Sequence, residues 1–284
     1  MSVNAPALRY HGGKFRLAKW IMQFFPAHSI YVESFGGAAG VLLQKPRSYS
    51  EVYNDLDSCV VNFFEVLRDP ELRSQLIEAI AMTPYARVEF ERAWIPTDDR
   101  IESARRLCIR AQMGFGSAGA TKGNTGFRID TRRKYGTAPQ LWAAYPRALA
   151  AAGGRLEGVM IENRPAIDVL LSQDGVDSLH YVDPPYMHEL RVMRGHGNYR
   201  HELTAEQHLE LIEVLRSLSG MVVLSGYPSQ AYDDALPGWM RFHRQARISA
   251  GRGASTRTEC VWINAACRAA LDRSAGAIFE GAAA

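Results

Sequence analysis

Cysteine is scarce and scattered. The 284-residue chain has four, Cys59, Cys108, Cys260 and Cys267. None forms a C-x-x-C pair and none sits with histidine at zinc spacing, so neither a disulfide scaffold nor a metal centre is expected. No apolar run approaches the ~18–20 residues that span a bilayer, so no membrane partner is expected. The opening MSVNAPALRYHGGK lacks the apolar stretch of a secretory signal. A reducing cytoplasm is the expected compartment. No internal repeat is visible, and nothing points to an obligate protein partner. The net charge is only +3, while 47% apolar and 22% charged residues exclude a disordered tail and allow a core. At roughly 150 residues per domain, the length fits two domains or one domain with a large insertion.

The small net charge hides an uneven distribution. From Arg100 to Arg147 there are ten Lys or Arg against Glu102 and Asp130, a local charge of +8, which leaves −5 for the rest. A basic block in an otherwise acidic chain suggests a polyanion surface, nucleic acid first. A solvated helix face is the plainer alternative.

Apolar periodicity divides the chain into three stretches. Arg16 to Phe25 reads as a short helix ended by Pro26. Ser29 to Glu33 reads as a strand that stops at the glycine cluster Phe35-Gly-Gly-Ala-Ala-Gly40, with a helix expected from Val41. Ser50 to Asn54 is a second strand, and Val60 to Leu67 has helical spacing. This β-loop-α pattern is half of a nucleotide-binding sheet. Alternation then lapses: 71–82, 86–94 and 101–113 read as helices, followed by a glycine-rich polar stretch from Gly114 to Lys134 that reads as a mobile loop or hairpin. After Gly158 the alternation returns, with strands at 159–163, 179–183, 220–225 and 260–264. Helices are expected at 166–171 and 204–218, the latter opened by a Thr204/Gln207 capping box. The tail from Ala265 is expected to fray. Residues 1–69 and 156–264 thus form one α/β unit, 70–155 a helical and loop insertion, and 265–284 a flexible tail.

Three motifs carry chemistry. Asp183-Pro184-Pro185-Tyr186 follows a buried strand, where open α/β sheets bind ligands. The prolines remove two N–H donors and leave carbonyls free to accept. An amino group could donate to the Asp183 carboxylate and the Pro184 carbonyl while its ring stacks on Tyr186. Glu33-Ser-Phe35-Gly-Gly37-Ala-Ala-Gly40 lets backbone approach a ligand, and a following helix would offer its N-terminus. It lacks strict G-x-G-x-x-G spacing. Asp55 ends the second strand, where an acid commonly binds ribose hydroxyls; a helix cap is its plainer role. Arg9-Tyr10-His-Gly-Gly13-Lys14 is a third candidate, as an anion contact. Asn163, at the end of a further strand, joins the cofactor candidates.

In order and spacing these motifs resemble the Dam-like alpha group of DNA adenine N6-methyltransferases, especially its prophage-borne branch, from about Leu8 to Asn264. The resemblance implies a Rossmann-like class I methyltransferase sheet with a target-recognition insertion, and S-adenosylmethionine as cofactor. It implies that Tyr10, Gly13 and Lys14 contact the cofactor and that Glu33, Phe35 and Gly37 form its loop, with Ser34 and Ala39 replacing a usual Pro and Gly. It places Asp55 on the ribose and makes Asp183, Pro184, Pro185 and Tyr186 the catalytic tetrad, with Asp183 also at the cofactor. Asn198, Tyr199 and His208 sit where this branch has a Tyr and a His. Leu224 to Tyr227 resembles the segment lining the base pocket, and Arg257 to Asn264 the closing strand.

The implied reaction is direct methyl transfer to the exocyclic amine of an adenine flipped out of double-stranded DNA. No Pro-Cys dipeptide is present, which excludes the covalent route to cytosine carbon-5. The basic insertion then becomes the target-recognition element, with Arg105, Arg106, Lys122, Arg128, Arg132, Arg133 and Lys134 as candidate DNA contacts and Tyr199 beside them. Cytosine amino methylation would favour Ser in place of Asp183. A catalytically weak DNA-binding homologue and a protein-glutamine methyltransferase are the other readings.

Overall fold

The computed structural model describes residues 3–120, 125–130, 136–186, 201–250 and 253–281. Seven strands form one sheet: β1 (Ile30–Glu33), β2 (Ser50–Asn54), β3 (Met160–Glu162), β4 (Ser178–Val182), β5 (Met221–Gly226), β6 (Met240–Ala250) and β7 (Gly253–Ile263). Their spatial order is β3-β2-β1-β4-β5-β7-β6. The first five are parallel neighbours, while β7 runs antiparallel to both β5 and β6. The order reverses between β1 and β4, and this switch opens a crevice at the carboxyl ends of the strands. The strand order is that of a Rossmann-like methyltransferase sheet, as the sequence resemblance implied.

Alternating side chains serve two cores, one on each face of the sheet. Tyr31, Tyr53, Tyr181, Val223 and Val261 face one cluster; Val182, Val222, Leu224 and Trp262 face another. The first face is covered by α1 (Ala18–Ile21), α2 (Ser58–Arg68), α3 (Pro70–Met82), α4 (Arg87–Arg92), α5 (Arg100–Met113), α6 (Ala138–Leu156) and α10 (Ala265–Gly281). The second carries α7 (Ala166–Ser172), α8 (Ala205–Ser217) and α9 (Gln230–Ala235). Helices α3 to α6 share one continuous core with the sheet through α2.

Most expected elements form near their expected bounds, and the departures have physical reasons. The helix expected from Val41 is instead a run of turns over 37–44. Ala39, just before the expected start, has φ +52°, so the chain enters this stretch in a turn conformation and stays in turns through Gln44. The residue capping α2 is Asp57, which accepts from Cys59 N, so Asp55 is free of that role. Helix α6 was unread because Pro146 and Gly153-Gly154 look like breakers, yet a Thr137/Gln140 capping box starts it and a buried stripe, Trp142, Tyr145, Leu149 and Ala152, holds it. Strand β6 lacks an apolar run, and its residues Arg241, His243, Arg244 and Gln245 are exposed, so the sequence pattern does not mark it. The tail expected to fray is helical as far as Gly281, in keeping with its alanine content.

Two glycines test this account of the crevice. A Cβ on Gly36 would lie 2.1 Å from the Tyr53 ring, whose hydroxyl donates to Gly37 O at 2.7 Å. Gly154, inside α6, has open space around it. Gly36→Ala should therefore destabilise the fold by about 1–3 kcal/mol or more. Gly154→Ala should stabilise it by about 0.5–1 kcal/mol. Urea unfolding of both variants checks the contrast.

Candidate active site

The crevice at the β1/β4 switch contains a cavity of ≈ 340 Å³. That is within the ~300–1,000 Å³ common for small-molecule sites. It is lined by the N-terminal segment Tyr10 to Lys14, by Glu33 and the glycine loop, by Asp55 and Asp57 after β2, and by Asp183 and Pro185 after β4; His201 to Leu203 and Gln207 close another side. All three sequence motifs therefore meet in one place, although residues 14 and 183 lie far apart in the chain.

Local sequence explains each placement. Glu33 is the last residue of β1, and its carboxylate turns back to accept from Tyr31 OH (2.7 Å) and from Leu42 N (2.9 Å). The glycine loop is tied to β2: Gly36 N donates to Asn54 O, and Gly37 N donates to Asp55 Oδ2 at 2.8 Å. Gly37 has φ +47°, and a Cβ there would lie 3.0 Å from Tyr10, so glycine is required. Asn54 is buried and clamps three segments, donating to Ser34 O and Arg164 O and accepting from Arg164 N. Asn163 does not line the cavity; its amide donates to the Asp55 backbone carbonyl at 2.8 Å and so fixes the main chain that carries this acid.

Asp183 accepts from three side chains. Lys14 Nζ donates to Oδ2 at 2.9 Å and to Gly12 O at 3.0 Å. Ser225 Oγ, at the end of β5, donates to Oδ1 at 2.7 Å, and Tyr186 OH reaches the same oxygen at 3.4 Å. The carboxylate is thus oriented from both sides. Lys14 also lies over the Tyr186 ring, 4.9 Å from its centroid. Tyr186 packs on Tyr227 with centroids 4.3 Å apart. Pro184 is buried and Pro185 half-buried.

The electrostatics follow from burial and pairing. Burial works against the charge on Lys14, but Asp183 and Glu259 outweigh it and raise its pKa. Burial raises Asp55, against hydrogen bonds from the Asp57 and Gly37 amides. Burial also pushes Glu33 up to about 8, despite the bonds from Tyr31 and Leu42.

The expected DNA contacts fare differently. Arg105 donates to Glu102, Glu89 and Thr83, and Arg106 to Glu102 and the carbonyls of Ile95 and Pro96. Arg128 is buried and paired with Asp130 at 2.9 Å. Arg105 and Arg106 tie α5 to neighbouring segments, and Arg128 pairs within its own segment. Lys122, Arg132, Arg133, Lys134, Asn198 and Tyr199 lie outside the described residues. His208 is buried in α8, with Nδ1 3.1 Å from Tyr232 OH, and does not line the cavity. Ser225 lies in the 224–227 segment that the resemblance placed at the base pocket. Glu259 was missed as a site residue; it sits in the middle of β7, and its signal is a lone acid just before the apolar run 260–263.

Comparison with known proteins bears on the first part of this site. Residues 10–93 match the family model of D12 class N6 adenine-specific DNA methyltransferases. The matched segment is under a third of the chain; it contains the Tyr10–Lys14, Glu33–Gly40 and Asp55 motifs and stops well before Asp183. It supports methyltransferase chemistry for the crevice. No curated protein matches. Among solved structures, the chain is similar to a precorrin 8w decarboxylase from Methanobacterium thermoautotrophicum, at 10% identity and TM-score 0.35 over 88% of this chain and 89% of that one. It is also similar to yhhF from Escherichia coli, described as a candidate methyltransferase, at 10% identity and TM-score 0.30 over 88% and 87%. The fold assignment rests on the strand order.

Glu33 gives a pH test. Its folded pKa, about 8, lies above the ordinary value of 4.5. The folded state therefore holds a proton that the unfolded state releases. The stability associated with this group is full below pH 4.5 and is lost as pH rises through about 8. Glu33→Gln should flatten that decline, melting above the parent at pH 9 with a smaller margin at pH 5. Thermal melts across this range read the difference.

Proposed function

We propose that the chain is an S-adenosylmethionine-dependent DNA adenine N6-methyltransferase acting on a base turned out of double-stranded DNA. The observation that carries this reading is Asp183 at the end of β4, held by Lys14 and Ser225 on the wall of the cavity that the glycine loop also lines. A carboxylate, two N–H-free prolines and an aromatic ring in sequence suit a planar base with an exocyclic amine.

The crevice fits the cofactor on its own terms. Gly36 and Gly37 admit backbone where a Cβ would collide with Tyr53 or Tyr10. Asp55 keeps lone pairs for hydroxyl groups beyond its two amide bonds. Asp55 and Asp183 bring carboxylates to the cavity wall, while Glu33, with its pKa pushed up to about 8, stands there as a neutral acid able to donate a hydrogen bond. When bound, S-adenosylmethionine supplies an electrophilic methyl group. Tyr10, Gly13, Lys14, Glu33, Phe35, Gly37 and Asp55 would hold it, with Asn163 behind Asp55. The protein's own work is positioning. Asp183 and the Pro184 carbonyl accept from the amine and orient its lone pair, and Tyr186 stacks on the ring. Transfer is direct: the amine nitrogen takes the methyl group as the S–C bond breaks to leave a neutral thioether, and the proton then in excess on that nitrogen passes to solvent.

In this reading residues 1–69 and 156–264 form the catalytic unit and 70–155 the target-recognition unit. The phosphate contacts fall to Lys122, Arg132, Arg133 and Lys134, since Arg105, Arg106 and Arg128 have intrachain partners.

Single-molecule sequencing of plasmid from a methylation-free host expressing the chain should show N6-methyladenine at one short motif. Asp183→Asn should lower the transfer rate by about 10²–10³ or more with the circular dichroism unchanged. Unmethylated plasmid from cells holding soluble, cofactor-binding protein would overturn the reading. Arg132→Ala with Arg133→Ala should reduce the salt dependence of DNA binding by a slope of about 2. An unchanged slope removes both residues from the interface.

A further inference from the structure

Strand β7 reaches the crevice from outside the three sequence motifs. Residues two apart on a strand share a face, and Arg257 and Glu259 are such a pair. Glu259 is 7% exposed, and its Oε2 accepts from Tyr186 OH at 3.2 Å. Arg257 Nη1 donates to Tyr227 OH at 2.6 Å, with the guanidinium 5.3 Å from that ring's centroid. The two tyrosines pack against each other. Each ring of the pair is therefore anchored at its hydroxyl by one β7 side chain. The strand itself is fixed by the antiparallel pairing of Gly226 with Cys260, the residue next to Glu259.

We infer that Arg257 and Glu259 are positioning residues, which set the angle and depth of the Tyr186/Tyr227 pair that receives the target base. This inference rests on the methyltransferase reading above. A buried carboxylate at this point has no solvation to gain and needs a partner. Tyr186 OH supplies one, and Lys14, already bonded to Asp183, supplies favourable charge. Without Glu259 the phenol loses its 3.2 Å hydrogen bond, while the 3.4 Å contact to Asp183 Oδ1 stays. The tilt of the Tyr186 ring is then less tightly set from the β7 side. A displacement of this kind acts on base orientation and leaves cofactor binding largely untouched, because Glu259 and Arg257 do not line the cofactor cavity.

The test is single-turnover methyl transfer with the full chain, at saturating cofactor and DNA. Glu259→Ala should slow transfer by about 10- to 100-fold. Its dissociation constants for DNA and S-adenosylmethionine should stay within about twofold of the parent. Glu259→Gln should recover most of the rate, because its amide oxygen still accepts from Tyr186 OH. In a double-mutant cycle, Glu259→Ala with Tyr186→Phe should be no slower than the slower single variant, since both remove one interaction. Fully additive losses, or a Glu259→Ala rate equal to the parent, would overturn the inference. A parent that methylates no DNA overturns the functional reading instead. The positioning claim is then decided by ring-labelled tyrosine NMR: Glu259→Ala should move the Tyr186 signals, assigned through Tyr186→Phe, and unmoved signals refute it.

Discussion

The site depends on one buried ion pair. Lys14 and Asp183 meet at 2.9 Å with side chains only 6% and 16% exposed. Removing two charges from water costs several kcal/mol per ion, and their attraction offsets that only when the remaining hydrogen-bonding capacity is also met. Gly12 O meets it for the ammonium, and Ser225 Oγ for the carboxylate. The pair therefore requires the N-terminal segment, β4 and β5 to be in place together. It ties the approach of the N-terminal segment around Lys14 to the correct closure of the sheet. The same two charges then face the cavity, so the group that stabilises the crevice also defines its electrostatics.

A second buried network does the corresponding work at the opposite end of β2. Glu51 accepts from Lys45 at 2.7 Å and from Arg155 at 2.6 and 2.8 Å. Arg155 comes from the last turn of α6, so this carboxylate joins the helical insertion to the sheet. Burial opposes the charge on Glu51, but the two cations prevail and lower its pKa. With the apolar core running unbroken from the sheet through α2 into α3, α5 and α6, the insertion is a layer packed on the seven-stranded sheet.

Sequence made the sheet and most of the site legible, for a definite reason. The crevice is built at strand ends, and strand ends are marked by abrupt changes from apolar runs to glycine, proline or acid. Glu33, Asp55 and Asp183 each follow such a run, and all three line the cavity. Glu259 and Ser225 were less visible, because they lie within strands, where a polar residue reads as an outward-facing position. Their inward role depends on β7 running antiparallel beside β5, a pairing that local pattern does not encode. The failed helix after the glycine loop has the same character: it turns on the positive φ of Ala39, which composition does not reveal.

The basic block shows the limit of counting charges along a chain. Between Arg100 and Arg147 the sequence carries a local charge of +8. Part of that charge is neutralised from outside the window: Arg100 pairs with Glu65, and Arg105 with Glu89 as well as Glu102. Arg110 is buried, donating to Ala93 O and lying over the Trp94 ring. A paired or buried guanidinium contributes little to the field felt by a polyanion, since its carboxylate cancels it at distance. The outward positive field of α5 is therefore smaller than the count along the sequence suggests. Its guanidinium groups act largely inside the helical layer, where they fix one segment against another.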